Sequence, residues 1–202
     1  MKNSYVLIVG CTGVGKSAVQ EFLSESIGNH ATYADPYVDN PFIGNAYSDG
    51  SKSFQSEMFF FKEFLKIHKE ITRTKDKYII QERSIFECVE IFCKTFYYTG
   101  KLTKDELLLM QDLLSEIEGL IRIPDIILHI TAEHSVIMNR IQQRNRSFEK
   151  KIDIEFIRYQ ANLYNKWVNT FCNKNGIRMI QIDNSCSTIN ETNNKVKELL
   201  CI

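Results

Sequence analysis

The stretch Tyr5-Val-Leu-Ile-Val9-Gly10-Cys-Thr-Gly-Val-Gly15-Lys16-Ser17 decides how this chain is read. Its first five residues form an unbroken apolar run rich in β-branched side chains, the pattern of a strand buried on both faces. The next eight satisfy G-x-x-x-x-G-K-[ST], and a helix-length segment follows, so the motif stands between a strand and a helix, the context it requires. Glycines there let backbone N–H groups converge on an anion. The positive end of the following helix adds to the field, and the lysine reaches terminal phosphates. We therefore expect Gly10, Gly13, Val14, Gly15, Lys16 and Ser17 to hold the phosphates of ATP, with Ser17 also a ligand of Mg2+.

Similar short apolar runs recur at Tyr5–Val9, His30–Ala34, Tyr78–Gln81, Ile126–Ile130 and Ile177–Ile182. They predict five buried strands. Helix-length segments lie between them at Lys16–Ile27, Phe54–Arg73, Ile85–Tyr98, Lys104–Leu120, Glu133–Arg144 and Asp153–Asn173, with a last one near Asn190–Leu200. Such alternation implies a parallel sheet with helices on both faces, a three-layer α/β/α architecture. The polar stretch Gly44–Ser53 reads as a surface loop beside a site. With 202 residues, three prolines and no repeat, one domain covering 1–202 is the economical organisation.

The 25 Lys and Arg balance 25 Asp and Glu, which argues against a partner as charged as nucleic acid. None of the apolar runs could span a bilayer. Six cysteines without a C-x-x-C pair read as free thiols in a reducing, cytoplasmic setting. Four histidines, at 30, 68, 129 and 134, show no metal-ligand spacing. Segment Lys104–Leu120 is apolar round most of its circumference, so it is deeply buried or paired with another subunit.

A GTPase would need D-x-x-G, yet none of the nine aspartates has glycine three residues on. Instead the third strand runs into Gln81-Glu82-Arg83-Ser84, placing a carboxylate and a guanidinium at the carboxyl edge of the sheet, where ligands of such folds bind. Arg140 and Arg144 share a helix face and Arg146 follows just past the helix end. Three guanidiniums gathered there can clamp a transferring phosphoryl group, as a lid over about 140–152. On the second helix-length segment Gln55, Phe59 and Lys62 fall at i, i+4 and i+7. Ser84, Cys88 and Phe92 fall at i, i+4 and i+8. These two stripes are expected to face a nucleobase, with Phe92 stacking on it and Gln55 offering its amide.

Taken in order, Gly10–Ser17, Asp35-Pro36, Asn40-Pro41-Phe42, Tyr47, Phe54-Gln55, Glu82-Arg83-Ser84 and Arg140…Arg144-Asn145-Arg146…Glu149 resemble the deoxynucleoside kinases, especially the bacterial-type deoxyadenosine and deoxyguanosine kinases. The resemblance runs from residue 5 to about 170. It implies a P-loop kinase fold with an arginine-rich lid, ATP and Mg2+ as donor and metal, a deoxynucleoside as acceptor, and a homodimer. It implies that Asp35 accepts the proton of the sugar 5′-hydroxyl, that Arg83 holds that acid, and that Glu82 lies near the magnesium. Glu149 and Tyr47 would bind the 3′-hydroxyl. Two positions depart from the family, which has Arg where Lys62 is expected to stand and Asp at Cys88. A nucleoside monophosphate kinase of the thymidylate kinase type would want a basic residue around 35–42, and this chain has none there. A regulatory P-loop protein would leave Asp35, Gln55 and the arginines without a purpose.

Overall fold

The computed structural model describes residues 4–185 and 189–200. Five parallel strands, β1 (Ser4–Val9), β2 (His30–Tyr33), β3 (Tyr78–Glu82), β4 (Ile126–Thr131) and β5 (Arg178–Asp183), form one sheet in the order β2-β3-β1-β4-β5. The run that opens the chain becomes the central strand, Tyr5–Val9 being at most 3% exposed. Val6 is in register with Ile80 on one side and Ile126 on the other. The expectation of five buried strands holds for the middle three. The edge strand β2 is half-buried to exposed, and β5 alternates, because each lacks a neighbour on one side.

The helices are α1 (Lys16–Ser26), α2 (Ile43–Ser48), α3 (Ser53–Ile71), α4 (Ile85–Glu87), α5 (Lys94–Tyr98), α6 (Lys104–Ile117), α7 (His134–Arg144), α8 (Ile154–Asn175) and α9 (Ile189–Leu200). Between α4 and α5 the backbone winds as a π-helix over Cys88–Cys93, so the single helix predicted for Ile85–Tyr98 carries a wide turn in its middle. Wide turns of this kind are frequent at functional sites. The segment read as a loop at Gly44–Ser53 is largely helical. Asn40 explains this: its Oδ1 accepts from the Phe42 amide (3.0 Å) while its Nδ2 donates to Ser56 Oγ (2.9 Å), so the chain enters α2 already tied to α3. Ala46 and Tyr47 are buried as a result.

On α6, Leu107, Met110 and Leu114 are buried while Leu108 and Leu109 are nearly half exposed, so this helix is not enclosed all round. Thr103 and Glu106 form a reciprocal capping box at its start. Tyr164 and Trp167 lie in the core. Cys11, Cys88, Cys93 and Cys172 are buried free thiols; Cys186 and Cys201 lie outside the described residues. Among the described residues no helix is long and apolar enough to cross a membrane.

Candidate active site

The loops leaving β1, β2 and β3 all emerge at the carboxyl edge of the sheet, and the cleft there is completed by the segment after α7. Gly10, Gly13 and Gly15 have φ values of 146°, 86° and 102°, a left-handed backbone that only glycine adopts freely. Lys16 Nζ donates to Gly10 O (2.9 Å) and Cys11 O (3.1 Å), curling the loop around the place an anion would take. From α8, Gln160 Oε1 accepts from the Thr12 amide at 3.0 Å. Ser17 Oγ donates to Glu82 Oε1 at 3.2 Å, two hard oxygen donors side by side, a set that suits Mg2+. Burial raises the Glu82 carboxyl pKa, and the Lys16 charge works against that shift.

Asp35 ends the segment after β2 and faces Arg83, with Oδ2 and NH1 3.4 Å apart. It occupies the cap position before the turn Pro36–Asp39 but makes no side-chain capping bond, and its Oδ1 is buried without a partner. Arg83 has φ 62°, a strained conformation for a residue with a side chain. Two contacts hold it there: its amide donates to Ile8 O (3.1 Å), and Gln81 Nε2 donates to its carbonyl (2.7 Å). Gln81 is itself fixed by the Tyr5 hydroxyl. The guanidinium lies 3.5 Å from the Phe92 ring centroid and 4.3 Å from that of Phe60. Burial works against its charge, but Asp35 and Glu57 outweigh that and hold its pKa above the ordinary value.

The lid residues divide. Asn145 closes α7 in a left-handed conformation (φ 50°), which turns the chain so that Arg146 and Glu149 face the cleft. Arg144 grips the buried Glu149 with two bonds, Nε to Oε2 at 3.0 Å and NH2 to Oε1 at 2.6 Å. Arg146 donates to the Tyr37 hydroxyl at 2.7 Å and stacks on its ring. Arg140 is not in the cleft: its NH1 donates to Val14 O (3.3 Å) and its NH2 to Asn184 O (2.8 Å). Position explains this, since Arg140 is a full turn earlier on α7 and meets the outside of the phosphate loop.

Tyr47 and Phe92 line the cleft, whereas the predicted stripe of α3 does not. Gln55 is exposed, and Lys62 is paired with Glu63 (2.7 Å) while sitting over the Phe59 ring. The buried face of α3 is Ser53, Glu57, Phe60, Phe64 and Ile71, nearly half a turn away. Glu57 is the residue the sequence reading missed. It is fully buried, its Oε2 lies 3.6 Å from Arg83 NH2 and accepts from Cys88 Sγ (3.2 Å), and its Oε1 has no partner. Cys88 therefore meets Glu57 where Lys62 was expected. Tyr37, Ile43 and Phe148 complete the cleft wall and were likewise not foreseen.

A second buried acid, Glu87, accepts from Tyr164 Oη (2.9 Å) and Ser84 Oγ (3.3 Å). Burial pushes both Glu57 and Glu87 up to about 7. A carboxyl whose folded pKa is raised contributes stability that is present below its unfolded pKa and is lost as pH rises through the folded value. His129, lowered to about 4 by burial, has the opposite sign and loses its contribution as pH falls. The difference between wild type and Glu87→Gln isolates the Glu87 effect. Gln carries no charge to bury, so relative to wild type the variant should gain melting temperature between pH 5 and 8. A difference that is flat across this range, measured by thermal denaturation, would contradict a folded-state pKa raised above the unfolded one.

The family model for deoxynucleoside kinases matches residues 6–200. The deoxyadenosine/deoxycytidine kinase of Bacillus subtilis is 27% identical over 176 residues, covering 84% of this chain and 79% of that protein. The deoxyguanosine kinase of the same organism is 25% identical, covering 76% and 72% respectively. Deoxyadenosine kinase from M. mycoides, solved with bound dATP, superposes with a TM-score of 0.85 at 19% identity over 98% of this chain and all of that one. That superposition establishes the P-loop kinase fold. Because the family match runs almost the whole length of the chain, this protein belongs to the deoxynucleoside kinase family and is a phosphotransferase.

Proposed function

We propose that this chain, as a single kinase domain, transfers the γ-phosphoryl group of ATP to the 5′-hydroxyl of a purine deoxynucleoside. The observation that carries the reading is Asp35. It is a carboxylate set against Arg83, with one buried oxygen unpartnered, across the cleft from Lys16 and Ser17. Phosphoryl transfer has a loose transition state, so positioning and charge neutralisation matter more than base strength. Asp35 takes the 5′-hydroxyl proton as the oxygen bonds to phosphorus and the bond from phosphorus to ADP breaks. Arg83 keeps Asp35 aimed. Lys16 moves from the carbonyls of residues 10 and 11 to the terminal phosphates. Mg2+, when held by Ser17 and Glu82, supplies positive charge to the phosphate oxygens.

Arg144 and Arg146 supply the remaining guanidiniums, leaving Glu149 free with Tyr47 to bind the sugar 3′-hydroxyl. Phe92 offers its ring to the base. Glu57, behind Arg83, replaces Gln55 and Lys62 as the group expected to read the base edge. Deoxyadenosine or deoxyguanosine is named for each of the curated relatives, which supports a purine. Leu108 and Leu109, exposed on α6, support a homodimer, and the buried free thiols support a reducing, cytoplasmic setting.

Phosphorylation of the four deoxynucleosides, with the matching monophosphates as controls, tests the reaction. Activity confined to monophosphates would overturn it. In the same assay Glu57→Gln should change the ratio of kcat/KM between deoxyadenosine and deoxyguanosine by about threefold or more, because the amide always offers a donor whereas Glu57, pushed up to about 7, offers one only in its protonated fraction. A ratio within about twofold of wild type would remove Glu57 from base recognition.

A further inference from the structure

Asn184, just past the end of β5, lies outside the cleft and is only 8% exposed. Every hydrogen-bonding direction it points inward is used. Its amide N–H donates to Thr131 O at 2.7 Å, and its carbonyl accepts from Arg140 NH2 at 2.8 Å. Its side-chain Oδ1 accepts from the buried Thr192 hydroxyl of α9 at 2.8 Å, which fixes which end of the amide carries the donor. The Nδ2 so oriented donates to Val14 O at 2.8 Å, the same carbonyl that Arg140 NH1 reaches at 3.3 Å. One peptide of the phosphate loop is thus held from outside by two side chains, one from just past β5 and one from α7.

The peptide joining Val14 to Gly15 is planar and trans, so its C=O and N–H point in opposite directions. Anchoring the carbonyl outward turns the Gly15 N–H inward, to the side where Lys16 curls over the loop. The approach is close enough to constrain the sequence: a Cβ on Gly15 would stand 2.7 Å from Asn184 Nδ2. Glycine is therefore needed at 15 for this contact as well as for its φ of 102°. We propose that Asn184 is a positioning residue for triphosphate binding, its amide locking the Val14–Gly15 peptide so that the Gly15 N–H faces the phosphates. Arg140 acts as the second half of this lock. The inference rests on the reading of Gly10–Ser17 as the triphosphate cradle.

The test measures ATP affinity by calorimetry, and KM for the deoxynucleoside in the kinase assay, on the full chain. Asn184→Ala removes the amide half of the lock. Thr192→Val keeps the volume and leaves Asn184 in place but takes away the hydroxyl that orients its amide. Asn184→Ala should weaken ATP binding about tenfold, and Thr192→Val should weaken it by about threefold, both leaving the deoxynucleoside KM within about twofold. In wild type the Gly15 amide resonance should move on ATP addition, and in Thr192→Val it should move less. A folded Asn184→Ala with a lowered melting temperature but ATP affinity within about twofold of wild type would make Asn184 merely structural and overturn the proposal. Should Asn184→Ala not fold, unchanged ATP affinity in Thr192→Val overturns it. Wild-type protein that bound no ATP would refute the cradle reading itself, and the proposal with it.

Discussion

Lys16→Ala should lower kcat by about 100-fold or more while the protein remains folded, since loss of one preorganised charge at a developing oxyanion has a cost of that order. Lys16 is only 8% exposed. Its ammonium is bonded to two loop carbonyls, Gly10 O and Cys11 O. Removing it leaves those carbonyls facing the cleft, where water can reach them, so the expected stability loss is small, about 1 kcal/mol. Circular dichroism and a kinase assay at saturating ATP separate the two effects. Retention of more than about a tenth of wild-type turnover would take Lys16 out of the phosphate clamp.

The parts of the site that could be read in the sequence are those set by neighbours along the chain. The phosphate loop depends on glycines at fixed offsets between a strand and a helix, and Glu82-Arg83 simply continues β3 past the sheet edge. Lid residues Arg144, Arg146 and Glu149 follow from one helix end, Asn145 supplying the left-handed turn. What could not be read was the rotation of α3. Phe54, Phe59, Phe60, Phe61 and Phe64 place aromatic rings round most of that helix, so several stripes look equally apolar. A usable signal was present in the spacing 57, 60, 64, 67, 71, alternating three and four, but it put a glutamate in the buried face. A buried acid makes sense only once Arg83 and Cys88 are known to lie opposite. Arg140 misled for a related reason. Sharing a helix face with Arg144 says nothing of whether the cleft or the back of the phosphate loop lies opposite that turn. The π-helical turn at Cys88–Cys93 likewise has no sequence mark, being imposed by packing against α3, α6 and α8.

Asp35→Asn should reduce kcat by about 10²-fold or more, since an amide of the same shape cannot take the proton of the 5′-hydroxyl. A purely structural Asp35 would serve as the cap before Pro36. Asp35 has the backbone of a cap but makes no capping bond, so the amide loses nothing on that account. It does lose the charge facing Arg83. That guanidinium is buried, 3.4 Å from Asp35 and 3.6 Å from Glu57, with Nε and NH2 lacking hydrogen-bond partners. Removing one of two counter-charges from a buried cation is destabilising, so Asp35→Asn should also melt at a lower temperature than wild type. Assays well below that transition keep the two consequences apart. Asp35→Glu restores the charge and a proton acceptor one methylene further out. It should recover most of the stability and keep kcat within about tenfold of wild type. Turnover in Asp35→Asn above about a tenth of wild type, at saturating ATP and nucleoside, would leave Asp35 as a counter-ion for Arg83 and nothing more.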